Sequence, residues 1–213
     1  MTLSFPTFTA GMVLSLSLIM AIGPQNAHVL RMGLQRQHLW LTVAVCALAD
    51  IALISLGVLG LAQLGSLSEK LLGALIGAGV LFLGVYGWQA FQRFLQPPVS
   101  APLPHTPDTP RHAPAAVSRR QAVLSALAFS WLNPHAWLDT AVLIGTASLA
   151  YGQGSTVFGL GAAAGSLVWF LLLGAAAFWL GRRLNTLHIW RALDGAVALM
   201  MWGTAAWLLT SLA

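Results

Sequence analysis

Six apolar runs, each longer than the ~20 residues a helix needs to cross a bilayer, leave this chain little choice of fold. They cover residues 5–30, 39–63, 71–95, 121–150, 156–181 and 189–212. Charged residues are 7% of the chain, against roughly 25% in a typical soluble domain, so a water-soluble core would lack its polar skin. The sequence predicts an all-α integral membrane protein with about six transmembrane helices. No Lys or Arg precedes the first run, so a cleaved signal peptide is not expected. The one cysteine, Cys46, excludes an internal disulfide and any CxxC pair, and reads as a small packed apolar residue.

Orientation follows from the basic residues. Of the ten Lys and Arg, all but Lys70 fall in the first, third and fifth connections. These are Arg31 and Arg36; Arg93, Arg111, Arg119 and Arg120; and Arg182, Arg183 and Arg191. Short basic loops stay in the cytoplasm, which predicts a multi-pass membrane protein with both termini outside. The net charge of +5 is thereby explained by topology, and nucleic acid is not an expected partner.

Between the third and fourth runs, residues 96–120 hold seven of the ten prolines: Pro97, Pro98, Pro102, Pro104, Pro107, Pro110 and Pro114. Such a stretch cannot continue a helix and predicts a solvated cytoplasmic linker. His105 and His112 lie in it without the ligand cluster a metal site requires, so no metal or other cofactor is expected. The linker separates residues 1–95 from 121–213, with three runs in each. An odd number of spans makes the second half enter from the opposite side, which is the geometry of an inverted repeat.

The first helix of each half is broken. Gly23-Pro24-Gln25-Asn26 and Asn133-Pro134-His135 both sit inside apolar runs. Proline removes a backbone donor and clashes with the preceding turn, and lipid tolerates such a break only where protein or a water-filled cavity surrounds it. Gly and Asn serve as N-caps, and Pro suits the first helical position. Each break therefore reads as the start of a half-helix inside the membrane, with unpaired N–H groups and a positive dipole end suited to an anion such as a carboxylate. The alternative is a proline kink without a ligand. Two matched breaks, enriched in Gln25, Asn26, Asn133 and His135, favour a carrier's binding site.

Intramembrane acids supply the opposite pole. Asp50 and Asp139 each lie in the middle of an apolar run, where a charge costs at least ~2.5 kcal/mol and is a functional candidate by default. His135 and Asp139 are four apart and share a helix face just beyond the Asn133-Pro134 cap. A structural alternative pairs Asp50 with Arg31 or with hydroxyls. Asp194 follows Arg191 near a helix end and reads as an interfacial charge pair. His28 either lines the same cavity as Gln25 or is a satisfied structural histidine. Gly73-xxx-Gly77 and Gly161-xxx-Gly165 suit either internal packing or a homodimer contact. The tryptophans, among them Trp40, Trp88, Trp190 and Trp207, fall mostly near span ends, as an aromatic belt requires.

The segments Gly23-Pro24-Gln25-Asn26-Ala27, Leu30-Arg31-x-Gly33-Leu34, Ala49-Asp50 and Asn133-Pro134-His135-Ala136-Trp137-Leu138-Asp139-Thr140 resemble the LysE/ArgO-type basic amino acid exporters. The resemblance spans nearly the whole chain outside the linker. It implies export of L-lysine or L-arginine across a bacterial inner membrane, driven by the membrane potential or a proton gradient. The residues agree with a cationic amino acid. Pro24, Gln25, Asn26, Asn133 and Pro134 form the ends that would hold its carboxylate, and Asp50 or Asp139 would hold its ammonium or guanidinium. One of the two aspartates would exchange a proton or other coupling ion. His135 is a candidate relay, since imidazole changes charge nearest neutral pH. The competing substrates are a neutral amino acid, another metabolite or a metal cation. An enzyme is not expected, because the chain carries no serine elbow, HExxH or CxxC.

Overall fold

The computed structural model describes residues 4–21, 23–61, 69–95, 117–183 and 187–210. Among these the chain is all helical. The first run divides into α1 (Phe5–Ile19) and α2 (Pro24–Gln35), whose axes differ by 76°. The second forms α3 (Leu39–Leu56), which continues as a wider π-helical stretch, Gly57–Leu61. The third is α4 (Glu69–Leu95). The fourth begins with α5 (Arg119–Trp131) and resumes at Pro134 as α6 (Pro134–Ala136), a second π stretch (Trp137–Ile144) and α7 (Gly145–Leu149). The last two runs are α8 (Ser155–Arg183) and α9 (Leu187–Thr210). Most of the proline-rich linker, with His105 and His112, lies outside the described residues.

Among the described residues, Leu39–Gly60 and Gly152–Arg182 are each long and apolar enough to cross a membrane, with mean hydropathies of 2.3 and 2.0. The bent pair of α1 and α2 makes a third if it counts as one span.

α8 is the central post: α1, α2 and α3 all pack on it, while α4 pairs with α9. Glycine permits the closest approach. A Cβ on Gly161 would lie 1.9 Å from the Phe8 carbonyl oxygen, and one on Gly11 would lie 2.0 Å from that of Phe158. The Gly161/Gly165 pair is thus used in internal packing of α1 against α8, one of the two readings its spacing allows. Gly77 differs, with no atom within 4 Å of where a Cβ would sit.

Helix ends follow local chemistry. α2 stops in a Schellman pattern: Arg36 N–H donates to Gly33 O at 3.1 Å and Gln37 N–H to Met32 O at 3.1 Å, with Arg36 in the left-handed region at φ 54°. His38, before α3, is also left-handed at φ 49°. This turn receives the chain as it returns from the linker. Val117 N–H donates to Gln37 Oε1 at 2.7 Å, and His38 Nε2 lies 2.9 Å from Val117 O. Ser118 and Gln121 then start α5 with a reciprocal capping box.

Candidate functional site

A cavity of about 140 Å³ lies where the two break segments meet. Gly23, Pro24, Gln25 and Asn26 line it from α2 and its cap, Asp50 from α3, Asn133, His135 and Asp139 from the α6 region, and Thr204 from α9. Of the eight residues expected at a binding site, seven border this one space. Pro134 contributes the backbone start of α6, but its side chain lies outside the described set.

Gly23 caps α2 in an extended conformation with Pro24 at the first turn, and Ala27 N–H bonds back to Gly23 O at 3.0 Å. Asn133 caps α6: its Oδ1 accepts from His135 N–H at 3.2 Å. Asn26 has a second task. Its Nδ2 donates to Ile19 O and Ala21 O, both at 2.9 Å, closing the carbonyl end that α1 leaves open. Its Oδ1 accepts from Trp169 Nε1 at 3.2 Å. One amide thereby ties α1, α2 and α8 together at the break.

Asp50 is 1% exposed. Its Oδ1 accepts from Gln25 Nε2 at 3.0 Å and its Oδ2 from the Ser166 hydroxyl at 3.3 Å. Gln25 Nε2 also lies 2.9 Å from Ser130 Oγ, which itself donates to Ala126 O. The network joins α2, α3, α5 and α8, and it meets the requirement that a buried carboxylate be hydrogen-bonded. Of the two structural partners the sequence offers Asp50, the structure selects hydroxyl and amide donors. Arg31 goes elsewhere.

Asp139 sits in the π stretch, where the wider turn interrupts the regular ladder; π segments of this kind recur at functional sites. Its Oδ2 is 3.4 Å from His135 Nε2, and the side chains are 17% and 42% exposed. The two π stretches touch. A Cβ on Gly57 would lie 2.1 Å from Ala141 O, and one on Gly145 would lie 2.7 Å from Gly57 O.

His28 is not among the cavity's lining residues. It is buried, stacks on Phe129 with centroids 4.6 Å apart, and meets Ser125 Oγ at 3.2 Å. Asp194 is bridged by Arg31 at 3.2 Å and Arg93 at 3.1 Å, linking α2, α4 and α9. The side chain of Arg191, its expected partner, lies outside the described set. Sequence reasoning did not single out Ser130, Ser166, Trp169 or Thr204. Each is an isolated polar group in an apolar run; Ser130 stands 105 residues from Gln25, and Ser166 stands 116 from Asp50.

Helices long and apolar enough to cross a membrane, packed around an internal cavity with polar and acidic lining, are the features of a membrane transporter. The profile of the LysE type translocator family matches residues 16–212, and the chain belongs to that family. It is 36% identical over 205 residues to the arginine exporter protein ArgO of Pectobacterium carotovorum subsp. carotovorum (strain PC1), covering 94% of this chain and 95% of that one. Against ArgO of Serratia proteamaculans (strain 568) the identity is 37% over 202 residues, with 93% of each chain covered. Against the lysine exporter LysE of Corynebacterium efficiens it is 33% over 218 residues, covering 93% of this chain and 96% of that one. No solved structure matches the chain.

Proposed function

We propose that this protein exports cationic L-amino acids, L-arginine or L-lysine, from the cytoplasm across the bacterial inner membrane by alternating access. The observation that carries the reading is the single cavity shared by two helix starts and two aspartates. A cationic amino acid has one carboxylate and two positive groups. The positive ends of α2 and of the helix beginning at Pro134 face the carboxylate. Asn26 is committed to the carbonyls of α1, so the backbone N–H groups of the first turns are the donors left for this task. Asp139, open to the cavity and flanked by His135, receives the side-chain cation. Asp50, enclosed by Gln25 and Ser166, exchanges the coupling proton. The two carboxylates favour a cation over a neutral substrate, and the activities named for the relatives agree with it.

The same reading takes the chain as two three-span halves, 1–95 and 121–213, of inverted topology, with the first helix of each broken at its proline and residues 96–120 as a cytoplasmic linker. In its support, Arg36, Arg119 and Arg182, from three different connections, gather at one end of the bundle. The open face at Gly77 offers α4 as a contact for a second copy.

Labelled arginine and lysine should be tested in inverted membrane vesicles, where a cellular exporter runs inward. Energy-dependent uptake of both, abolished when the gradients are collapsed, is the expected result. Uptake of neutral amino acids alone by an inserted protein would overturn the substrate, and uptake unaffected by collapse would overturn the coupling.

A further inference from the structure

A second cavity, about 700 Å³, lies away from the carrier site, between the start of α3 and the end of α8. Arg36, Arg119 and Arg182 line it with His38, and no carboxylate stands among its described lining residues. The rest of the wall is apolar, chiefly Trp40 and Phe178, which are 50% and 45% exposed with ring centroids 6.5 Å apart. Among the described residues, α3 and α8 are long and apolar enough to cross a membrane alone, so their adjoining ends place this groove at the level where bilayer meets water. We propose that it binds an anionic phospholipid, with the phosphate among the three arginines and the acyl chains running from Trp40 and Phe178 down the outside of the bundle.

Three further observations fit that occupant. Arg182 sits over the Phe178 ring at 5.7 Å, so a cation and an apolar surface are presented side by side. Leu48 and Leu171, one heptad along from Leu41 and Phe178, are exposed and extend the apolar path. The rim is built rather than loose. Arg36 Nε and Nη2 both donate to Gly181 O, at 3.1 and 2.9 Å, while Arg36 and His38 hold left-handed conformations that non-glycine residues rarely adopt. With no acid among the described residues of the groove, the three arginines attract a lipid phosphate, and basic pockets between spanning helices are suited to such headgroups. A free phosphate satisfies the arginines but leaves Trp40 and Phe178 facing water.

The test uses the full-length protein purified free of lipid, with binding of phosphatidylglycerol, phosphatidylcholine and inorganic phosphate measured by native mass spectrometry and thermal unfolding. Phosphatidylglycerol should bind and raise the unfolding temperature, and the other two should not. R119Q/R182Q, which leaves the structural Arg36 intact, should weaken phosphatidylglycerol binding about 30-fold. R120Q, on the same helix but outside the groove, should leave it unchanged, and R119K/R182K should restore most of it. Equal binding of phosphatidylcholine, an equal effect of inorganic phosphate, or undiminished binding in R119Q/R182Q would each overturn the assignment.

Discussion

Asp50 and Asp139 border the same cavity under opposite conditions. Asp50 is enclosed, its two oxygens taken by Gln25 and Ser166 from two other helices. Asp139 stands on an irregular turn, with a neighbour only four residues away and its side chain partly open. A charge held by donors from separate helices senses their relative movement, because any shift breaks a bond that burial makes costly to lose. A partly open carboxylate is free to meet an arriving cation. The contrast supports the proposed division of labour between the two acids, in which Asp50 couples and Asp139 binds.

The comparison breaks most sharply at Asp50. Asp50→Asn removes the charge and turns an amide N–H₂ toward either Gln25 or Ser166, so vesicle uptake of arginine should fall at least ~100-fold with insertion intact. Gln25→Ala leaves Asp50 with the Ser166 bond alone. Loss of a hydrogen bond to a buried charge costs about 1.5–3 kcal/mol, which predicts uptake lowered by roughly tenfold or more. At Asp139 the effect should appear as affinity: Asp139→Asn should raise KM for arginine about tenfold, ~1.4 kcal/mol, and change maximal rate less. His135→Gln is the mildest. The exposed i,i+4 pair contributes well under ~1 kcal/mol, so KM should shift about two- to threefold. An Asp139→Asn variant with unchanged KM and a lost maximal rate would reverse the roles of the two acids.

Local signals were legible in the sequence, and long-range ones were not. Gly23-Pro24 and Asn133-Pro134 read as helix starts because capping is settled within a few residues; Gly23 stands at the N-cap of α2, and Asn133 Oδ1 accepts from His135 N–H. Asp50 and Asp139 stood out because charge at membrane depth is rare. Which donors satisfy Asp50 depended on helices brought together by folding. Ser130 and Ser166 carried no signal of their own, since hydroxyls scattered through apolar helices usually bond to their own backbone. Arg31 was one ionic partner the sequence offered Asp50, yet the crossing of α2, α4 and α9 places it beside Asp194 with Arg93. Ion pairs that form between helices leave no local signal. The second role of Asn26 was likewise hidden: only the bend between α1 and α2 brings the carbonyls of Ile19 and Ala21 within its reach.

The central claim, that the cavity between the two helix starts binds a cationic amino acid, is tested most directly by equilibrium binding of labelled L-arginine to the purified protein. Competition with L-citrulline, its neutral near-isostere, supplies the control. Unlabelled arginine should displace the bound label and citrulline should not, and Asp139→Asn should weaken binding about tenfold. Displacement by citrulline as effective as by arginine, or binding unchanged in both Asp50→Asn and Asp139→Asn, would contradict it.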